Sequence, residues 1–336
     1  LIDVSLLFET NAIGKMSLRH TGRGVSVLVW VEMSLRQKRL RPNRWSAVIY
    51  AFVFLLLSQA AFSAFLPLGM VYSHRVDYNV IKDNLADFGA TLDLIARDIK
   101  DKGLDDYAIL LGDSVAYSGP GGPLQAVSRY MDDIAREEDL PPVYNLAIPA
   151  AQMGDFYTIL LMLDERGIST GHVILNLIYG GFVLRDPDPP IVYWLEHDLE
   201  RLDPAAFAEI SDELLRSREN KDRPDPIDLF IEYRVYSKVP VLKYRDFIRK
   251  AVEYRLGTAS LALGDARPWY EKEGLAEILK DPMYQRFYDP TPLILDESNL
   301  NVLFLDKIAL HQAGKDLTVF MSPLNKDLMT EEASDP

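Results

Sequence analysis

Cysteine is absent from this 336-residue chain. Its absence removes disulfides, thiolate catalysis and cysteine-ligated metals together, and leaves the redox compartment open. Histidine is scarce. The five present show no His-x-x-x-His spacing, so no structural metal site is expected. No organic cofactor is implied either. Positive charge is also short: 36 Lys and Arg against 50 Asp and Glu leave a net charge of −14. An acidic chain repels phosphate backbones, which argues against a nucleic-acid partner. Gly-x-Gly-x-x-Gly phosphate loops are missing, which ranks a nucleotide-type small-molecule binder last. No internal repeat or low-complexity tract is present.

What the chain does have is apolar mass, 48% of its residues, enough for one large domain or two smaller ones. One stretch carries no charge at all. Trp45 to Ser73 lacks Asp, Glu, Lys and Arg, and a basic cluster (Arg36, Lys38, Arg39, Arg41, Arg44) precedes it. Its core, Ala47 to Leu66, has the length to span a hydrocarbon layer of ~30 Å. Trp45, Tyr50 and Tyr72 suit the two interfaces. The expectation is a transmembrane anchor over 45–72 in an inner or plasma membrane. It is single-pass, with a cytoplasmic N-terminus and everything after Arg75 extracytoplasmic. A cleaved signal peptide with Ala60-Ala61-Phe62-Ser63-Ala64 as its small-residue site is the alternative. The apolar run continues through Phe65, Leu66, Leu68, Met70 and Val71, long for a signal core, which favours the anchor. A buried core helix is disfavoured by the basic flank. Residues 1–44 read as a tail. Within it, 1–32 differ from the leader opening at Met33 and are either upstream sequence or a disordered extension.

From residue 76 onward a βα rhythm sets in. Asp83 to Gly103 reads as an amphipathic helix, with Leu85, Phe88, Leu92, Ile95 and Ile99 at spacings of three and four. Ala108 to Leu111 is a buried strand. A helix over Leu124 to Ile134 follows, then a strand from Val143 to Ile148, a helix from Phe156 to Gly167 and a strand from His172 to Ile178. Strands separated by single helices imply right-handed βαβ units and a parallel sheet. Asp186 to Asn301 breaks the rhythm. It is charged and rich in Pro and Tyr, with helical pieces at Pro204 to Arg218, Tyr244 to Tyr254 and Trp269 to Lys280, and reads as a helical cap inserted over the strand ends. The rhythm resumes with a helix at Val302 to Gln312 and a strand at Leu317 to Met321.

The strand exits carry the chemistry, because ligands of open α/β sheets bind at the carboxyl ends of strands. The first exit is Gly112-Asp113-Ser114. The second is Asn145 to Ala150, followed by a small-residue turn to Gly154. The third is Tyr179-Gly180-Gly181-Phe182. A serine hydroxyl needs a base beside it and hydrogen-bond donors aimed at the developing oxyanion. Ser114 can offer its own N–H, and the small residues Ala150, Gly154, Gly180 and Gly181 allow close backbone approach. Asp113 reads as a turn cap rather than a partner of Ser114. Tyr193, Trp194, Trp269, Tyr270, Tyr284 and Tyr288 of the insert are candidates to stack on a sugar or polymer, against the commoner role of filling the cap core.

At these exits the chain resembles the SGNH (GDSL-type) hydrolase and acyltransferase superfamily. Ile109 to Ser114 is similar to its first block, and Tyr144 to Ala150 to its Asn-Leu-Gly-x-x-Gly block. The resemblance covers roughly 107–178 and 317–325. An anchor, a late helical insert and a Ser322-Pro323-Leu324-Asn325-Lys326 exit resemble its membrane-tethered branch, which includes alginate O-acetyltransferases and the DltD-type teichoic-acid D-alanylation protein. The resemblance implies a flavodoxin-like three-layer α/β/α domain over 76–336, with its insert at about 186–301 and with Ser114 as nucleophile. Asn145 and Asn325 become candidates for substrate contact or loop support.

The departures are specific. Ala150 stands where the family has Gly, a replacement that is tolerable at a negative φ. The third exit lacks the family's oxyanion Asn, and Asn176 on the strand reads as a buried polar residue. The family's Asp-x-x-His is missing. His20 and His74 precede the domain, His172 starts a strand at the wrong edge, His311 reads as surface, and His197 in the cap is the one within plausible reach. The base is therefore expected beyond residue 336, on a chain truncated at its C-terminus. Two functions follow. One is a membrane-anchored extracytoplasmic serine esterase or O-acyltransferase acting on an acylated cell-surface glycan. The other is a catalytically weakened accessory protein that binds a glycan or a membrane-bound acyltransferase partner.

Overall fold

The computed structural model describes residues 44–62, 66–81, 84–118, 122–183, 193–217, 227, 230–256, 294–295 and 299–322. Two units are distinguished, 1–51 and 52–336. The first is described from Arg44, where helix α1 (Arg44–Phe62) begins. Every side chain from Ala47 to Leu57 on this helix is exposed.

The expected anchor over 45–72 is not one continuous helix. Among the described residues no helix is long and apolar enough to cross a membrane. Beyond Leu66 the same apolar run belongs to the folded domain. Pro67, which has no N–H to continue a helix, precedes a 3-10 turn at Leu68–Met70. Leu66 and Val71 are buried against Ala90, Leu94, Tyr244 and Phe247. Hydropathy alone does not distinguish side chains that meet lipid from side chains that meet a neighbouring helix.

The large unit is α/β. In chain order it holds α2 (Tyr78–Ile81), α3 (Ala86–Lys102), β1 (Ala108–Leu111), α4 (Ser114–Tyr117), α5 (Val127–Glu137), β2 (Val143–Asn145), α6 (Met153–Glu165) and β3 (His172–Leu177). Then come α7 (Glu196–Leu202), α8 (Pro204–Ser217), α9 (Pro240–Lys243), α10 (Arg245–Arg255), α11 (Leu300–His311) and β4 (Asp316–Met321). The four strands among the described residues are all parallel, in the order β2-β1-β3-β4. The unbroken apolar run of β1 reflects its burial on both faces of the sheet. Ile109, Leu111, Val173 and Leu175 face the core shared with α3, α6 and α11. Leu110, Val143 and Ile174 face α4 and α5.

Local chemistry explains the element ends. Gly103 closes α3 at φ 62, its N–H reaching the carbonyls of Ile99 and Lys100. Helix α6 starts at Met153, ahead of the expected Phe156, because the Asp155 carboxylate accepts the Gln152 N–H at 3.0 Å. At the open edge of β2, side chains take the place of a neighbouring strand. The Tyr72 hydroxyl accepts the Asn145 N–H at 2.8 Å and Asp132 accepts the Val143 N–H at 3.3 Å. Strand β4, at the other edge, leaves Val319, Phe320 and Met321 exposed. The described insert packs on α6 through Leu199, Ala206 and Ile210, and on α3 through Tyr244 and Phe247. The expected helix at Trp269 to Lys280 lies outside the described residues.

Candidate active site

Strand β1 delivers its last apolar residue, Leu111, to Gly112, and the chain then turns sharply into α4. Gly112 is required by space: a Cβ there would lie 2.4 Å from the Ala116 Cβ and 2.9 Å from the Asn176 Cβ. Asp113 caps the turn, its carboxylate accepting the Val115 N–H at 2.9 Å. Burial pushes that carboxyl up to about 6, with the backbone N–H bonds to Val115 and to its own amide pulling the other way. Ser114 is the first residue of α4 and is exposed. Among the described residues nothing takes up its hydroxyl or its N–H.

The second exit continues the ladder past β2, with Leu146 N–H to Leu110 and Ile148 N–H to Gly112. Asn145 is fully buried. Its amide donates to the Ala116 carbonyl at 2.9 Å and the Ser128 hydroxyl at 3.1 Å, and its oxygen accepts the Ala147 N–H at 2.9 Å. Of its two candidate roles, the structure displays loop support: the residue ties α4 to the second exit from beneath.

Ile148 to Ala151 is a turn closed by the Ala151 N–H on the Ile148 carbonyl at 3.0 Å. Pro149 fixes one central residue, and Ala150 sits at φ 63. This is the type II arrangement, which favours glycine at the second central position. The condition of a negative φ is thereby not met. The alanine is tolerated at a strain of about 1 kcal/mol. Ala150 is exposed, and no described residue accepts its N–H.

The remaining small residues serve packing. A Cβ on Gly154 would come within 2.0 Å of the Tyr193 ring, so this glycine makes room for Tyr193 and Phe304. Gly181 donates its N–H to the Ile178 carbonyl at 2.9 Å, and its own carbonyl accepts from Asn301 at 2.9 Å. Gly180 is buried in the same turn. The Gly181 N–H is thereby committed to its own turn, and Gly154 serves packing. Asn176 is buried and donates to the Ser322 hydroxyl at 2.8 Å, as its place on the strand implies. Asn325 and anything after it lie outside the described residues.

Three residues that motif reading did not single out assemble this region. Asn301, on α11, joins the second and third exits: its oxygen accepts the Met153 N–H at 3.1 Å while its amide reaches Gln152 and Gly181. Asp155 is buried and accepts the Leu195 N–H at 2.9 Å, which positions Trp194. Burial pushes its carboxyl up to about 7, against the backbone N–H bonds it receives. Tyr78 lies edge-on to both Tyr117 and Trp194, each 6.1 Å away, and so bridges the Ser114 helix and the second exit. A buried carboxyl three residues into a helix was the one available signal, at Asp155.

The four described histidines are engaged elsewhere. His74 Nδ1 is 2.8 Å from Asp132 and lines a groove of about 580 Å³ along the β2 edge with Tyr72, Asp98 and Tyr144. His172 lies between Asp106 and Asp316 at the start of β3. His197 lies 3.5 Å from Glu196 and packs on Tyr233. His311, expected at the surface, is largely covered and bonds Asp164 at 2.7 Å. No cluster of three or more potential metal ligands occurs among the described residues. Comparison with known proteins returns no match, whether to a family model, a curated protein or a solved structure.

Proposed function

We propose that this chain is a serine esterase or O-acyltransferase of the SGNH type, with Ser114 as nucleophile. The observation that carries the reading is the exposed Ser114 on the first turn of α4, at the carboxyl end of β1, with the Asp113 carboxylate turned away to cap the turn. Its unengaged N–H and that of Ala150 on the neighbouring exit are the two oxyanion donors. The strand order β2-β1-β3-β4 agrees with the first four positions of a flavodoxin-like sheet. The general base comes from polypeptide outside the described residues, on the side of Asn325. The exposed apolar surface of α1 supports a membrane tether with the catalytic unit extracytoplasmic, and Trp194 and Tyr78 supply an aromatic wall suited to an acylated cell-surface glycan. Acyl release from an O-acetylated oligosaccharide by the full-length protein, lost in Ser114→Ala, is the expected result. Absence of any release from a folded protein overturns the reading.

A second reading is an accessory protein that binds such a glycan, or a membrane-bound acyltransferase, without turnover. It is favoured by the commitment of the Gly181 N–H to Ile178 and by the pairing of each described histidine with an acidic side chain rather than with Ser114. It predicts glycan binding that survives Ser114→Ala.

A further inference from the structure

The segment 230–256 crosses α3 as a helical strap, and charge holds most of it. Its apolar contact is small, Tyr244 and Phe247 against Ala90, Leu94, Leu66 and Val71. Lys243 pairs with Asp93 and Lys250 with Asp77. A third contact is different in kind. Carboxyls from three elements meet there: Asp87 in the first turn of α3, Glu232 in the π-helical turn Ile231–Val235, and Asp246 in the first turn of α10. The Asn84 amide nitrogen faces all three, at 3.4, 2.9 and 3.3 Å.

Among the described residues, cations reach only two of them. Arg245 holds Glu232 through two contacts of 3.0 Å and stands 3.5 Å from Asp246, and Arg249 stands 3.1 Å from Asp246. Asp87 makes no such contact. It is 1% exposed, and its Oδ2 has no hydrogen-bond partner. A buried carboxylate oxygen beside a second carboxylate needs a cation or a proton. The described carboxyls form no metal-ligating group, and Arg245 already engages Glu232. The proton remains.

We propose that a proton on Asp87, facing Asp246, latches the strap onto α3, and that its loss releases the strap. Burial, then the Asp246 charge, push the Asp87 carboxyl up to about 8 against the pull of Arg245. In the released strap the same group is an ordinary carboxyl near 4. The docked form therefore holds more protons between about pH 4 and 8, and docking weakens as pH rises through that window. Lys250 has the opposite sign and a separate range. Burial lowers it to about 8, so its linkage favours docking above that pH. Asp77, its partner, precedes Tyr78, the ring that bridges Tyr117 and Trp194. Release of the strap thus reaches the aromatic wall beside the Ser114 helix.

Amide hydrogen exchange on the full-length chain between pH 5 and 8, corrected for intrinsic rates, tests the latch. Protection of amides 241–250 falls by up to a few hundredfold in the wild type, and stays constant in Asp87→Asn, which keeps the site neutral at every pH. If Asp87→Asn fails to fold, Asp246→Asn at the less buried partner removes the second cause of the raised carboxyl and leaves its burial, so the fall is expected to shrink without vanishing. Flat wild-type protection, or an equal fall in the folded variant, overturns the proposal.

Discussion

The Trp194 indole donates its N–H to the Pro149 carbonyl at 3.0 Å, one residue before the exposed Ala150. An aromatic residue of the insert and the second strand exit are thereby one unit, and Asp155 holds the same indole segment through the Leu195 N–H. Trp194→Phe removes the bond and keeps most of the ring. The expected loss is about 1 kcal/mol, read as a lower denaturant midpoint. Trp194→Ala also removes the contact with Tyr78 and costs about 3 kcal/mol.

Ala150 stores strain that glycine would release. Ala150→Gly is expected to raise stability by up to about 1 kcal/mol, net of the entropy glycine adds to the unfolded chain. Ala150→Val should lower it, because a β-branched residue tolerates positive φ worse still. Thermal unfolding of the pair reads both signs at once.

Gly112 leaves no room for a methyl group between α4 and β3. Gly112→Ala sets a Cβ against Ala116 and Asn176 and should cost about 1–3 kcal/mol. The displaced α4 carries Ser114 with it, so loss of acyl release should exceed what the loss of stability explains. Measuring both on the same folded sample separates the two effects.

A pH dependence follows from Asp155. Its folded-state carboxyl is raised by burial to about 7, while the unfolded group titrates near 4. The folded state holds the extra proton between those values. Stability therefore falls as pH rises from about 4 to 7, by at most ~1.4 kcal/mol per unit. Asp155→Asn should flatten that part of the profile in denaturant titrations.

Strand positions were legible because Ile109 to Leu111 and Val173 to Leu175 are apolar without alternation, which is what burial on both faces requires. Gly103 marked the end of α3 for an equally local reason. Ser114 was legible as a turn serine, and Asp113 as its cap. What did not show in the chain is tertiary. Gly154 and Gly181 look like open backbone in sequence, but one lies beneath Tyr193 and the other is engaged by Ile178 and Asn301. The left-handed Ala150 follows from a turn whose closure depends on Ile148 and Ala151. The apolar run from Trp45 divides between helix exposed from Ala47 to Leu57 and buried core at Leu66 and Val71 because α3 offers those two a partner.

The most direct test of the central claim is covalent labelling of Ser114 by a fluorophosphonate. The full-length protein should label, Asp113→Asn should still label because asparagine keeps the cap, and Ser114→Ala should not. A folded full-length protein that fails to label, or a Ser114→Ala protein that labels as the wild type does, contradicts the assignment.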